Sequence, residues 1–134
     1  MKGFFITIDQ GTTSTRAILY DDKINKVDFT QVELTQYYPE EGWVEHDLEE
    51  TWLSVVSCVG NLIKNNSLKP EEVVSIGITN QRETVAIWDK KTLKPLSRAI
   101  VWQDRRTSNY CQKMKDEGIE KAIKEKTGLL LDPY

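Results

Sequence analysis

The sequence predicts an α/β fold in which an antiparallel three-strand meander leads into parallel strands with flanking helices. Three observations support this: apolar runs separated by short turns near the start, a long amphipathic segment in the middle, and a β-branched run after it. A strand, a helix and a second strand form a crossover, so the sheet is expected to become parallel there. The chain has 134 residues and 39% hydrophobic residues, which suits one domain with its own core.

The meander is predicted from the first three strand-like runs. The run over 3–8 ends at Asp9 and is typical of a buried central strand, and "TRAILYDD" follows it after a short Gly-containing turn. A third, more polar strand is expected over 26–34, after the turn "DDKIN". Short connections of this kind join antiparallel neighbours.

An amphipathic helix is predicted over 47–64. Asp47 is the expected N-cap, with Glu50 as its capping-box partner. The apolar stripe that would pack on the sheet consists of Leu48, Trp52, Val55, Val59 and Leu62. The following run, "VVSIGIT" at 73–79, is typical of a strand buried on both faces.

The last third of the chain is expected to contain two short strands and two helices. The strand-like runs are "TVAIWD" and "SRAIVW", separated by the turn-prone "KKTLKP". Asp104 is expected to cap a helix that runs to about Glu117 and ends at Gly118. A second helix is expected from Ile119, with Gly128 just beyond its last turn.

Composition excludes several classes of function. A net charge of −3 and the lack of a dense basic block argue against nucleic acid as a partner. No segment is long and apolar enough for a membrane span or a signal peptide. Cys58 and Cys111 lack paired spacing, so buried, inert thiols in a reducing, cytoplasmic setting are expected.

Other rare residues are expected to have structural roles. His46 is the sole histidine and cannot build a metal site alone, so a solvated or capping role is expected. Trp43, Trp52 and Trp88 are expected to pack in the core or in loops.

The segment "DQGTTSTR" over 9–16 is the first candidate site. Successive backbone N–H groups in such a turn gather anionic oxygen, and Gly11 allows a ligand to approach closely. Arg16 adds a guanidinium suited to phosphate, and Asp9 is compatible with phosphate through a divalent cation. The segment is not a P-loop, because no lysine follows and the turn leads to a strand. The alternative is a tight hairpin whose hydroxyls bond their own backbone.

Arg82 and Glu83 form the second candidate site. They follow a predicted strand, and open α/β sheets bind ligands at such strand ends. A guanidinium and a carboxylate suit the hydroxyls of a small polyol, while Trp102 and Tyr134 could cover its C–H face. The alternatives are a solvated Arg82–Glu83 ion pair and a core role for Trp102.

These segments resemble motifs of the FGGY carbohydrate kinases, within the actin and hexokinase group of ATP-using folds. "DQGTTSTR" resembles the first phosphate-binding motif of the family. "GITNQRET", "AIVWQDRRT" and "GLLLDPY" are similar to further signatures of its glycerol kinase branch, in the same order. The resemblance covers 6–134 and implies a ribonuclease H-like half-domain of the actin/hexokinase type.

The resemblance implies Mg²⁺-dependent transfer of the γ-phosphoryl group of ATP to glycerol, which yields sn-glycerol 3-phosphate and ADP. It implies that Asp9 helps to hold the metal. The nucleotide-binding residues that it implies are Thr12, Thr13, Ser14 and Arg16, and the glycerol-binding residues are Arg82, Glu83, Trp102 and Tyr134.

The catalytic base of the family is an aspartate that would lie beyond residue 134, and so would the adenine-binding half. Residues 1–134 are therefore expected to form an incomplete N-terminal kinase domain without activity of its own, and the full-length enzyme is expected to be a homo-oligomer. Two alternatives stay open: an FGGY kinase for a pentose or another polyol, and a noncatalytic module that binds phosphate or a protein.

Overall fold

A computed structural model describes residues 3–134, which contain a four-stranded sheet, a two-stranded sheet and three α-helices. The predicted α/β class is confirmed. The elements in chain order are β1 (Phe4–Gln10), β2 (Ser14–Tyr20), β3 (Lys26–Glu33), β4 (Glu45–His46), α1 (Leu48–Asn65), a 3₁₀ turn (Pro70–Glu72), β5 (Val73–Asn80), β6 (Ala99–Ile100), α2 (Ser108–Asp116) and α3 (Glu120–Thr127).

The main sheet has the strand order β3-β2-β1-β5. The β1–β2 and β2–β3 pairs are antiparallel, and the β1–β5 pair is parallel. Helix α1 lies between β3 and β5 in the chain, so it connects the antiparallel part of the sheet to its parallel part. Within residues 3–134, the parallel part of the sheet consists of the β1–β5 pair alone. The ends of β1 and β5 therefore lie side by side at one edge of the sheet.

Helix α1 packs on the face of the sheet that carries Ile6 and Leu19, both fully buried. Thr15 and Ser54 bring their hydroxyl oxygens to 2.6 Å across this interface, and the Cys58 thiol donates to the Thr15 carbonyl at 3.3 Å. Buried polar groups need such partners, so these contacts fix the helix against β2. The predicted burial of both cysteines is confirmed, and both are free thiols.

The start of α1 is capped as the sequence predicts. The Asp47 carboxylate accepts from the N–H groups of Glu49 at 2.9 Å and Glu50 at 3.1 Å. The predicted capping-box role of Glu50 is wrong, because its carboxylate instead accepts from the Tyr37 hydroxyl at 2.5 Å. A hydrogen bond to an ionised acceptor is among the stronger ones, so the bond from the Tyr37 hydroxyl takes the place of a capping-box bond from the Asp47 N–H.

Strand β5 is largely exposed, so its predicted burial on both faces is wrong for the described chain. Val74 is 62% exposed and Ile78 73% exposed. The reason is geometric: α1 packs on β1, β2 and β3, while β5 forms the edge of the sheet. Its free edge pairs with no other strand in residues 3–134.

The runs "TVAIWD" and "SRAIVW" do not form two regular strands as predicted. They meet at one isolated bridge, between Val85 and Ile100, while a second bridge joins Trp88 to Pro95 in the intervening turn, and the two-residue β6 pairs with β4. Pro95 lacks the N–H that a ladder needs. The Asp89 carboxylate also accepts from the Lys91 and Thr92 N–H groups, which forms a tight local turn.

Asp104 does not cap α2 as predicted. It is 2% exposed, and its carboxylate accepts from the Val44 N–H at 2.7 Å and from Arg106. Helix α2 begins later, with Thr107 as an N-cap that makes no side-chain bond. The Arg106 guanidinium lies 3.7 Å from the centre of the Trp43 ring, which confirms loop packing for that tryptophan.

The remaining expectations have mixed outcomes. Helix α3 ends at Gly128, whose φ of +76° provides the predicted left-handed cap. Trp52 and Trp88 are 62% and 56% exposed, so neither packs in the core, and Trp88 lies in a loop, where it forms a bridge with Pro95. The predicted apolar stripe of α1 is therefore wrong at Trp52, while the helix buries Ser54, Cys58 and Leu62. Among residues 3–134, none of the helices is long and apolar enough to cross a membrane.

Candidate functional site

Residues 11–14, which we call the hydroxyl turn, connect β1 to β2. The Gly11 N–H donates to the Ser14 carbonyl at 3.0 Å, and a Cβ on Gly11 would lie only 3.1 Å from that oxygen. The Leu34 N–H donates to the Thr13 carbonyl at 2.9 Å, which ties the turn to the segment after β3. The turn is therefore fixed by backbone contacts on two sides.

The outer side of the hydroxyl turn has free hydrogen-bonding groups. Within residues 3–134, the N–H groups of Thr12 and Thr13 donate to no other residue, and the hydroxyls of Thr13 and Ser14 bond no backbone group. The self-bonded hairpin considered as an alternative would have used these hydroxyls. The turn instead presents donors at an exposed position, an arrangement that binds anionic oxygen.

Asp9 and Arg16 are cross-strand neighbours at the ends of β1 and β2, and both are exposed. Arg16 donates from two of its nitrogens to the side-chain oxygen of Gln31, its cross-strand neighbour on β3, at 2.9 and 2.7 Å. The Asp9 side chain makes no hydrogen bond or ion pair within residues 3–134. Its carboxylate is thus open to solvent beside the turn.

The surroundings of Asp9 are compatible with Mg²⁺. Residues 3–134 contain no group of three or more potential metal-ligating side chains. Mg²⁺ does not need such a group, because it is usually held by one or two carboxylates together with water and substrate phosphates. A single exposed carboxylate beside an anion-binding turn fits this pattern.

Arg82 and Glu83 lie in the loop after β5, which we call the acceptor loop (residues 81–84). Both side chains are exposed, and they form no ion pair with each other or with any residue in the described range. The backbone of Glu83 has a φ of +62°, which is rare for a residue with a side chain. Such a conformation costs about 1–3 kcal/mol and persists only where the surroundings enforce it.

Trp102 is brought to the hydroxyl turn, whereas Tyr134 is not brought to the acceptor loop. The Trp102 indole N–H donates to the Thr12 hydroxyl at 2.8 Å, and the ring is 39% exposed, so a plain core role is wrong. Tyr134 is 38% exposed, and no hydrogen bond in the described chain joins it to Arg82 or Glu83. Asp132 pairs with Arg105 at 3.0 Å and fixes the chain two residues before Tyr134.

Three polar side chains that the sequence did not assign to a site connect the hydroxyl turn to the acceptor loop. We call Gln36, His46 and Gln81 the glutamine–histidine relay. His46 is 2% exposed, so its predicted solvated or capping role is wrong. The three residues are far apart in the sequence and have no common spacing. Only the position of Gln81 beside Arg82 could have drawn attention to it.

The relay is continuous. Gln36 donates from Nε2 to the Thr12 carbonyl at 2.9 Å, and its Oε1 lies 2.9 Å from His46 Nε2. Gln81 Nε2 lies 3.1 Å from His46 Nδ1, and the Gln81 backbone N–H donates to the Gln10 carbonyl at 2.8 Å. Burial lowers the pKa of His46, and the nearby Glu50 carboxylate opposes this only in part, so the imidazole favours its neutral form.

A salt-bridge network holds the segment that carries Trp102. Burial alone would raise the pKa of Asp104, but hydrogen bonds from the Arg106 side chain and from the Arg106 and Val44 backbones bring it below its ordinary value. Arg106 also donates to Glu45 at 2.8 Å. Because the charges are mutually paired, the loop before α2 is attached firmly to β4.

Comparisons with known proteins agree with these features. The model for the FGGY family of carbohydrate kinases, N-terminal domain, matches residues 4–134. The glycerol kinase of Rhizobium rhizogenes (strain K84) is 53% identical over 134 residues, which is 100% of this chain and 27% of that protein. The glycerol kinase of Petrotoga mobilis is 49% identical over the same length and the same share of its own chain. The chain therefore spans about a quarter of these curated relatives.

Two solved structures show the same architecture. The crystal structure of Plasmodium falciparum glycerol kinase with ADP has a TM-score of 0.89 and 35% identity, and the match covers 99% of this chain and 27% of that one. Gluconate kinase from Lactobacillus acidophilus has a TM-score of 0.88 at 22% identity, covering 99% of this chain and 26% of that one, and this likeness shows the fold alone.

Proposed function

The chain belongs to the FGGY family of carbohydrate kinases, as their N-terminal domain, and we propose that it is the first part of a glycerol kinase. The whole protein would transfer the γ-phosphoryl group of ATP to glycerol and release sn-glycerol 3-phosphate and ADP. The observation that carries this proposal is the hydrogen bond between Trp102 and Thr12. It brings an aromatic ring suited to the C–H face of a polyol against a turn suited to phosphate.

On the phosphate side, Thr12, Thr13 and Ser14 would contact the nucleotide phosphates through the free groups of the hydroxyl turn. Arg16 would assist, which requires its guanidinium to exchange the Gln31 oxygen for a phosphate oxygen. Such an exchange is reasonable because Arg16 is exposed and its bond to Gln31 is to a neutral group. Asp9 would hold Mg²⁺, which supplies charge neutralisation to the transferred phosphoryl group.

On the acceptor side, Arg82 would donate to the hydroxyls of glycerol and Glu83 would accept from them. Trp102 would cover the C–H face of glycerol, and Tyr134 would add a phenolic hydrogen bond. The positive φ of Glu83 is compatible with this role, and Ile24, Ser67 and Leu93 share such a φ outside both candidate sites. Positioning and charge stabilisation account for most of phosphoryl transfer, and these residues supply both.

Residues 1–134 would form an incomplete kinase domain that is inactive by itself. The uncovered apolar side chains of β5, among them Val74, Ile76 and Ile78, support this, because a completed fold would bury them. The base that accepts the proton of the attacking hydroxyl would come from a more distal aspartate. We place the protein in the cytoplasm as a homo-oligomer, in keeping with its two free thiols and with the family resemblance.

The test compares two polypeptides. One is the 134-residue chain, and the other is the longest polypeptide that its reading frame encodes. We expect the longer one to release ADP from Mg-ATP when glycerol is present and the shorter one to release none. A panel of pentoses and other polyols at the same concentration decides the acceptor. If the longer polypeptide phosphorylates a pentose in preference to glycerol, or no acceptor at all, the proposed function is wrong.

A further inference from the structure

We propose that His46 is a positioning residue which, through Gln36 and Gln81, holds the hydroxyl turn and the acceptor loop in a fixed relation to each other. The inference rests on the proposed function, because it assigns the two ends of the relay to ATP and to the acceptor. It is separate from the direct contacts, since none of the three relay residues is among those proposed to touch a substrate.

The direction of every hydrogen bond in the relay is determined by its end at the hydroxyl turn. Gln36 Nε2 faces two carbonyl oxygens, of Thr12 at 2.9 Å and of Leu34 at 3.2 Å, so it must be the donor and Oε1 remains as acceptor. His46 must then donate from Nε2. Its Nδ1 is left to accept from Gln81. Only one neutral tautomer of His46 satisfies all partners.

The other end of the relay is equally constrained. Gln81 Oε1 accepts from the Thr84 hydroxyl at 3.0 Å, and the amide cannot turn round because its oxygen would then face the unprotonated His46 Nδ1. The Gln81 N–H is bonded to the Gln10 carbonyl at 2.8 Å. Gln81 and Thr84, which flank Arg82 and Glu83, are therefore bonded to each other, and Gln81 is bonded to β1. These bonds hold Glu83 at its positive φ.

Burial makes the relay stiff. His46 is 2% exposed, while Gln36 and Gln81 are half-buried. Water cannot readily replace a lost partner at such a position, so a broken link leaves an unsatisfied polar group. A displacement at the Thr12 carbonyl is therefore passed to the acceptor loop. The arrangement ties the position of the phosphate-binding turn to that of the proposed acceptor-binding side chains.

Three substitutions separate the two halves of the relay. The amide oxygen of His46→Asn can replace Nδ1 as an acceptor for Gln81, whereas the amide nitrogen of His46→Gln can replace Nε2 as a donor to Gln36. His46→Phe fills a similar volume and supplies neither group. The matched control is Ser54→Ala, which removes a buried hydrogen bond to Thr15 outside the relay.

In the longest encoded polypeptide, we expect His46→Phe and His46→Gln to raise the KM for glycerol about tenfold, the loss expected from one buried hydrogen bond. Because His46→Asn keeps the acceptor for Gln81, its KM for glycerol is expected to stay close to that of the unsubstituted protein. Ser54→Ala is expected to lower the melting temperature and to leave the KM for glycerol unchanged. An unchanged KM in His46→Phe, or an equal rise in all four variants, overturns the proposal.

A second measurement needs no activity, so it remains decisive if the longer polypeptide phosphorylates nothing and the proposed function fails. His46 is the only histidine of the chain, so ¹⁵N-labelled imidazole gives a single set of NMR signals. We expect the Nε2–H tautomer near neutral pH, and more mobile Arg82 and Glu83 backbone amides in His46→Gln but not in Ser54→Ala. The opposite tautomer, or amides unaffected by His46→Gln, contradicts the proposal.

Discussion

The Trp102 indole N–H donates to the Thr12 hydroxyl across 90 positions of sequence, at 2.8 Å. We expect this contact to contribute about 0.5–1 kcal/mol to the free energy of unfolding, the lower half of the usual range, because the ring is partly exposed. A double-mutant cycle with Trp102→Phe and Thr12→Val, followed by urea unfolding, measures it. A coupling free energy indistinguishable from zero would show that the bond does not persist in solution.

A second prediction concerns the buried Asp104 and its partner Arg106. We expect Asp104→Asn to lower the free energy of unfolding by about 2–3 kcal/mol, because it leaves a half-buried guanidinium short of a charged acceptor. Asp132→Asn is the matched control, since its ion pair with Arg105 is far more exposed and is worth under about 1 kcal/mol. Similar losses in the two variants, measured by urea unfolding, would contradict this ranking.

The sequence predicted well those elements whose signals are local. The cap at Asp47, the apolar stripe of α1 apart from Trp52, and the left-handed Gly128 depend on residues within one or two turns of each other. The expectation for Asp104 failed for the complementary reason. A local helix cap and a tertiary ion pair compete for the same carboxylate, and only the fold brings Val44 and Arg106 within reach of it.

The candidate site likewise contains one part that the sequence predicts and one part that it does not. The hydroxyl turn could be located from residue types, because a glycine and hydroxyls between two strands specify their own geometry. The relay could not, since a buried histidine and a solvated one look alike when their partners are 10 and 35 residues away. The burial of β5 was overestimated because its composition reflects a covered strand, whereas the described residues leave it at the edge.

A third prediction follows from the lowered pKa of His46. Above its ordinary pKa of 6.5, His46 is neutral in both the folded and the unfolded protein, so its titration does not change the free energy of unfolding. Between that value and the lower folded pKa, the unfolded chain binds more protons, so stability falls as pH decreases. We expect the free energy of unfolding to drop between about pH 7.5 and pH 5.5, and to drop less in His46→Gln.

Two other groups bear on this pH window. The Glu50 carboxylate opposes the shift of His46, so Glu50→Gln should steepen the dependence on pH. The lowered pKa of Asp104 acts in a more acidic range, because its stabilisation is complete above the ordinary value of 3.8 and is lost as pH falls through the folded pKa. Equal slopes for wild type and His46→Gln above pH 5.5 would contradict the assignment to His46.

A fourth prediction separates the two substrates. In the longest encoded polypeptide, Arg82→Ala should raise the KM for glycerol about tenfold or more with little change for ATP, because a charged hydrogen bond to the acceptor is lost. Arg16→Ala should do the reverse. Lys121→Ala serves as the control, since it removes a cation that is 85% exposed and lies on α3, outside both sites. Steady-state kinetics decide the matter, and parallel losses for both substrates would contradict the roles given to Arg82 and Arg16.

The positive φ of Glu83 leads to a fifth prediction, in which stability and binding move apart. Glycine adopts a φ of +62° without strain, and this relief of about 1 kcal/mol offsets the extra flexibility that glycine gives the unfolded chain. We therefore expect Glu83→Gly to leave the free energy of unfolding unchanged or slightly higher. The proposed glycerol site would lose the Glu83 carboxylate, so glycerol binding by the longest encoded polypeptide should fall sharply in calorimetric titration.

The control for this prediction is Glu125→Gly, which places glycine inside α3. Within residues 3–134, Glu125 makes one weak ion pair, to Lys121 at 3.9 Å. Glycine in a helix interior costs about 1 kcal/mol, so this variant should be the less stable of the two. If Glu83→Gly lost as much stability as Glu125→Gly, the backbone at Glu83 would not be strained. The conformation would then be an ordinary loop geometry, and it would lend no support to a binding role for Glu83.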